Sequence, residues 1–189
     1  MPREDTMFIR TERLFLRPVF PEDWRDVLAG IGHEHVVRML ARAPWPYGED
    51  DARQFCAAED EPGTHRFAIT LPGRAGAAVI GMIGLHDEAD GIELGYWIAR
   101  PHWGRGYAVE AGRALLETAR TLGHRRIQAG HYLDNPASGR VLRKLGFVET
   151  GELRPTFCRG RGGEMVLARR YALNLGEEAG RATGIAASA

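Results

Sequence analysis

Residues 92–119 read IELGYWIARPHWGRGYAVEAGRALLETA, and this stretch decides the fold. It opens on the β-branched and aromatic residues of a strand, Ile92, Tyr96, Trp97 and Ile98. It then passes through a turn holding Gly104 and Gly106. Beyond the turn runs an alanine-rich segment in which Val109, Leu115, Leu116, Ala119 and Leu122 face a core at helical spacing, with Gly123 as its C-terminal cap. A strand that enters a helix through a glycine turn has the geometry of an anion site. The first turn of a helix leaves backbone N–H groups without intrahelical partners, and the aligned peptide dipoles place partial positive charge there. Glycines let a phosphate approach the backbone. Taken alone, the same letters suit a purely structural turn equally well.

Working outward, RRIQAGHYL (125–133) reads as the next strand and PASGRVLRKLG (136–146) as the next helix. FVETGELRPTF (147–157) and GEMVLARRYAL (163–173) read as two final strands around the basic turn Arg159–Gly163. Strand, helix, strand, helix, strand over 92–156 implies α/β or α+β character with at least one parallel pair. Upstream, HRFAITL, AAVIGMIGLH and IELGYWIA form an antiparallel meander separated by PGRAG and DEADG turns. Gly95, inside its third run, is expected at a bulge. Residues 8–17 read as one first strand ended by Pro18 and Pro21, followed by helices over 21–31, 34–40 and 49–58. A proline-broken loop between the last two carries Trp45 and Tyr47.

The chain has 189 residues, 44% hydrophobic and 26% charged, the mix of one soluble domain, expected over residues 1–175, with 176–189 as a frayed tail. Its 25 basic residues cancel 25 acidic ones, so no overall field draws nucleic acid or an anionic membrane, and any anion site is local. Cys56 and Cys158 are far apart with no CxxC or Cys/His spacing, which argues against a disulfide framework or a metal site. The opening residues lack the apolar core of a signal peptide, and no run nears the roughly 20 apolar residues of a membrane span. A cytoplasmic protein is expected.

Two nucleotide readings can be tested on the letters. A P-loop requires GxxxxGK[ST], and no lysine follows Gly106. The dinucleotide fingerprint GxGxxG/A puts Val109 where a small residue is needed, and the first acidic residue closing the next strand, Asp134, comes too late.

The segment Trp103-Gly104-Arg105-Gly106-Tyr107-Ala108 resembles the Q/R-x-x-G-x-G/A signature of the GNAT family of N-acetyltransferases, matching at Gly106 and Ala108 and departing at Trp103. Gly95-Tyr96-Trp97 with Trp103 to Ala111 is similar to the GYW…WGxGYAxEA pattern of its ribosomal-protein N-acetyltransferase (RimJ/RimL-like) branch. TERLFLRPVFPED (11–23) and NPASGRVLRKLGF (135–147) agree in order and spacing. The resemblance spans about residues 8–173 and implies a mixed, largely antiparallel seven-stranded sheet flanked by helices. Its fourth and fifth strands, 92–98 and 126–132, would splay so that acetyl-CoA, the co-substrate, enters the gap. Backbone N–H groups near Arg105, Gly106, Tyr107, Ala108 and Val109 would cradle the pyrophosphate, with Arg105 adding charge or simply solvated.

Acyl transfer to an amine needs an uncharged nitrogen, a stabilised oxyanion and a proton for the departing thiolate. At pH 7 a lysine amine is roughly one part in a few thousand neutral, an α-amine roughly a tenth, so an N-terminal amine needs less help. The resemblance places the base at Glu93, acting through water, although a carboxylate among so many arginines equally suits an ion pair. The position where many relatives keep a tyrosine acid is Leu142 here, and the acid role falls to Ser138. A serine early in a helix otherwise bonds local backbone. Asn135 would bind the pantetheine amides or simply start a helix, and the oxyanion donor would be a backbone N–H near Ile98. His131, Tyr132, Glu110, the Trp45–Tyr47 loop and the 159–163 turn are weaker candidates with structural alternatives. The acceptor would be a peptide N-terminus or a small amine, with no nucleic acid, membrane or metal, in a monomer or homodimer. The competing readings are a catalytically silent acyl-CoA-binding module and a dinucleotide-dependent oxidoreductase.

Overall fold

The computed structural model describes residues 7–60, 63–73 and 76–176; most of the expected tail, residues 177–189, lies outside them. The strands β1 (Ile9–Arg10), β2 (Phe15–Pro18), β3 (His65–Gly73), β4 (Gly76–Glu88), β5 (Gly91–Ile98), β6 (Arg126–Tyr132), β7 (Val148–Cys158) and β8 (Glu164–Asn174) form one sheet. Its order is β1-β2-β3-β4-β5-β6-β8-β7. Every neighbouring pair is antiparallel except β5 and β6.

The sheet has eight strands where seven were expected, because residues 8–17 are a hairpin and not one strand. The Thr11 amide donates to the Leu14 carbonyl at 3.0 Å, and the Leu14 amide donates to Thr11 Oγ1 at 3.0 Å. A threonine hydroxyl that bonds its own neighbouring backbone offers the chain a turn in place of a ladder.

Both faces of the sheet are covered. On one, α1 (Trp24–Ile31), α2 (Glu34–Val37) and α3 (Glu49–Ala57) bury Val27, Ile31, Val37 and Cys56 against Ala68, Met82 and Trp97. On the other, α4 (Tyr107–Thr121) and α5 (Pro136–Lys144) bury Ala111, Leu115, Ala119 and Leu142 against Ile83, Leu85, Leu94 and Ile127. Alternation along β4 and β5 sends successive side chains to the two cores.

The amphipathic reading of α4 holds except at Leu122, which is 45% exposed. The helix ends there: His124 donates to the Ala119 carbonyl and Gly123, at φ +88°, to that of Arg120. These two bonds close a Schellman cap and turn Leu122 outward. No helix among the described residues is long and apolar enough to cross a membrane.

Gly95 is not at a bulge. The β4–β5 register runs unbroken through Gly84↔Gly95, and the nearby irregularity lies in the β3–β4 ladder at Ile69/Thr70. A Cβ at Gly95 would lie 3.5 Å from the His86 ring, in ordinary van der Waals contact, so neither a bulge nor a close approach requires a glycine there.

Candidate active site

The two parallel strands pair once, at Glu93↔Gln128. Beyond that rung β5 stays with β4 and β6 with β8. The gap opens toward their C-terminal ends, where α4 and α5 begin, the place where open α/β sheets hold ligands. The Ala99 amide donates to the Ile80 carbonyl. Antiparallel alternation therefore turns the amides of Tyr96 and Ile98 away from β4 and toward the gap.

Glycine forms the lip of the gap because the chain needs it there. Gly104 has φ +73° and Gly106, the N-cap of α4, φ +82°, a region other residues occupy at a cost of about 1–2 kcal/mol. Residues 104–106 are exposed, and among the described residues the amides of Gly104, Arg105, Gly106, Tyr107 and Ala108 donate to no protein acceptor. The Val109 amide differs: it donates to the Gly106 carbonyl at 3.1 Å, which removes it from the set of free donors expected from the sequence. Trp103 explains its departure from the signature. Its indole N–H donates to the Ile98 carbonyl at 2.6 Å, tying the turn to β5.

The sequence reading missed Arg13. Its guanidinium pairs with Glu110 at 2.6 Å, donates to the Arg105 carbonyl at 3.0 Å and lies over the Tyr107 ring, 4.7 Å from the centroid. Burial pulls the Glu110 carboxyl up, but the Thr11 hydroxyl and the Arg13 amide and guanidinium outweigh it and hold it below its ordinary range. Glu110 thus anchors Arg13 beside the turn. An open groove of about 810 Å³ runs along this edge, lined by Arg13, Gly106, Arg113 and Lys144 among others. The motif containing Arg13 was noticed, but nothing in its letters shows a hairpin folding back onto α4.

At the rung, both carboxylate oxygens of Glu93 accept from Arg170, at 3.1 and 2.6 Å. Arg170 is buried and Glu93 partly exposed, at 7% and 28% of their side chains. Gly130 makes this possible, since a Cβ there would sit 2.6 Å from Arg170 Nη1. Glu93 is therefore held in an ion pair, with its exposed edge toward solvent. His86, its cross-strand partner, is also in this neighbourhood. Burial first, then Arg42, pulls its imidazole below its ordinary value.

Across the gap, Asn135 is the N-cap of α5 and its Oδ1 accepts the Ser138 amide at 3.3 Å. Pro136 occupies the first helical position, where its missing N–H costs nothing. Ser138 Oγ lies 2.9 Å from the Tyr96 hydroxyl, so a β5 side chain reaches the start of α5. Leu142 is fully buried in the core.

The weaker candidates divide. His131 is 9% exposed, with Nδ1 2.8 Å from the Tyr132 carbonyl and Nε2 3.3 Å from the Tyr171 hydroxyl, a satisfied histidine in the sheet. Trp45 is 42% exposed while Tyr47 is buried. Arg161 of the basic turn donates to the Arg38 carbonyl and to Asp134 and lies over Tyr132, and Gly160 packs against the Val37 backbone. That turn is docked on α2.

The model of the acetyltransferase (GNAT) domain matches residues 13–148. The chain belongs to this family. It is 31% identical over 153 residues to YoaA of Bacillus subtilis (strain 168), an uncharacterized N-acetyltransferase, covering 77% of this chain and 85% of that protein. Its fold is similar to a GNAT acetyltransferase from Bacillus anthracis, TM-score 0.76 at 27% identity over 90% of this chain and 100% of the other. It is also similar to Mycobacterium smegmatis RimJ in complex with CoA-disulfide, TM-score 0.71 at 22% identity over 89% and 86%. The GNAT protein is thus an acyl-CoA-dependent acetyltransferase, and the dinucleotide-dependent reading of its glycine turn falls away.

Proposed function

We propose that this enzyme transfers an acetyl group from acetyl-CoA directly to a primary amine, a peptide N-terminus or a small amine, in a ternary complex. The observation that carries the reading is the row of five backbone amides at residues 104–108 with no protein acceptor among the described residues, at the mouth of a gap between two strands joined by one rung. That row fits a diphosphate: unpaired donors, a helix N-terminus and no Cβ at the two exposed glycines. Arg105, Tyr107, Ala108 and the Val109 side chain frame it, and Asn135 Nδ2, which donates to no protein group among the described residues, is placed for a pantetheine amide. Bound acetyl-CoA supplies an activated acyl carbon at the gap.

The protein's own groups do the rest. The Ile98 amide faces the gap and donates to the oxyanion. Glu93, oriented by Arg170, takes the amine proton through water on its exposed edge. Ser138 supplies a proton to the departing sulfur. The RimJ/RimL-like motifs and the RimJ likeness favour an N-terminal acceptor, the easier amine to deprotonate.

Thiol release from acetyl-CoA, measured against a panel of peptide N-termini and polyamines, tests this. Turnover with one acceptor class is expected. Tight CoA binding with no turnover across a broad panel would favour the silent acyl-CoA-binding module.

A further inference from the structure

We infer that Tyr96 acts through Ser138, standing behind it as the source of the proton that replaces the one Ser138 gives to the departing sulfur. The inference rests on the proposed acetyl transfer and on one geometric fact, the 2.9 Å approach of Tyr96 Oη to Ser138 Oγ. Tyr96 is on β5 and Ser138 on the first turn of α5, so the pair spans the gap between the diverging strands.

A serine hydroxyl alone is a poor acid. It becomes an effective one when, as it gives up its proton, it takes another from a better donor already within hydrogen-bond reach. Ser138 is held for this: its amide is fixed by Asn135 Oδ1, and Pro136 fixes the helix start. The Tyr96 hydroxyl has no other partner among the described residues. Burial pushes it up to about 12, opposed by the hydrogen bond it shares with Ser138, so it stays protonated across the working range and free to donate to Ser138 Oγ.

The step balances. Ser138 Oγ–H breaks as the S–H bond forms, and Tyr96 Oη–H breaks as Ser138 Oγ–H reforms. The phenolate left behind is reprotonated from solvent, to which Glu93 passes the proton it took from the amine. No further reactant is required.

Tyr96→Phe keeps the ring and removes only the hydroxyl. Its expected result is a single-turnover rate lower by about ten- to a hundredfold, with CoA affinity by calorimetry within about twofold of the parent. The ultraviolet absorbance of the thiolate in the CoA complex gives a readout apart from turnover: the bound thiol should titrate at higher pH in Ser138→Ala and also in Tyr96→Phe. The double variant should be no slower than Ser138→Ala, because the two hydroxyls act in series. Additive losses, an unchanged thiol titration in Tyr96→Phe, or a rate loss matched by a loss of CoA affinity would overturn the relay. Parent enzyme that binds no CoA would overturn the underlying transferase reading as well, whereas a fully active Tyr96→Phe would remove the relay alone.

Discussion

The functions of single residues here depend on what sits within about a bond length of hydrogen-bonding distance. Gly106→Glu adds a side chain at φ +82° and a negative charge where a diphosphate must approach. CoA affinity should fall by at least about a hundredfold, close to 3 kcal/mol, by calorimetry. Near-parental affinity would remove the turn from the coenzyme site. Arg170→Met leaves Glu93 without its partner. Because Glu93 keeps 28% of its side chain in solvent, the expected loss is about 2–3 kcal/mol in denaturant titration, just under the range for fully buried pairs. Glu93→Gln should retain CoA binding and lose turnover more at low pH than at high pH, where the amine needs no base. Uniform loss across pH would limit Glu93 to orienting Arg170. At this scale the sequence was readable where backbone geometry decides, at Gly106 and Asn135, and unreadable where a partner arrives from far along the chain. Arg13, Arg170 and Tyr96 owe their roles to neighbours roughly 40 to 100 positions away, and no local pattern encodes those pairings.

The elements show the same division. The α4 helix was legible because its apolar spacing and capping glycine are local signals, and β5 and β6 were placed to within a residue. The expected single first strand is a hairpin because the alternation at Leu14 and Leu16 does not extend back through the polar run 10–13, where the Thr11 hydroxyl turns the chain. The bulge expected at Gly95 is absent because a glycine in a strand does not by itself break a ladder, and the β4–β5 register runs unbroken through it. Gly81 makes the cost of close strand approach measurable. A Cβ there would lie 2.3 Å from the Trp97 carbonyl oxygen and 3.1 Å from the Ile98 Cα, backbone atoms that cannot rotate aside. Gly81→Ala should cost about 2–3 kcal/mol, read as a lower denaturant midpoint with an unchanged slope. A neutral substitution would mean that β4 and β5 can separate at no cost.

Across the whole molecule, proton linkage sets a stability window. Burial lowers His86, then Arg42 adds to it, and burial with Arg105 lowers His102. The folded chain thus binds fewer protons than the unfolded one below the ordinary histidine value of about 6.5, and this stabilisation is lost as pH falls through the folded values. Glu110 and Asp134, also lowered, extend the loss below about pH 4.5. On the alkaline side, burial raises Cys56 to about 11 and Tyr96 to about 12, and raises Tyr47 and Tyr132. The neutral forms are favoured in the fold, so stability falls as pH rises from about 9 through those values. Thermal melts should plateau near pH 7–9; a midpoint still rising above pH 10 would contradict these burials.

The lone ladder pair between β5 and β6 leaves the sheet with a seam down its middle, bridged mainly by the helices and core beneath it. A substrate lodged there would act as a stitch, adding contacts to both panels where the backbone supplies almost none. Amide hydrogen exchange along both sides of the seam should therefore slow together as acetyl-CoA is added, and the melting temperature should climb with its concentration.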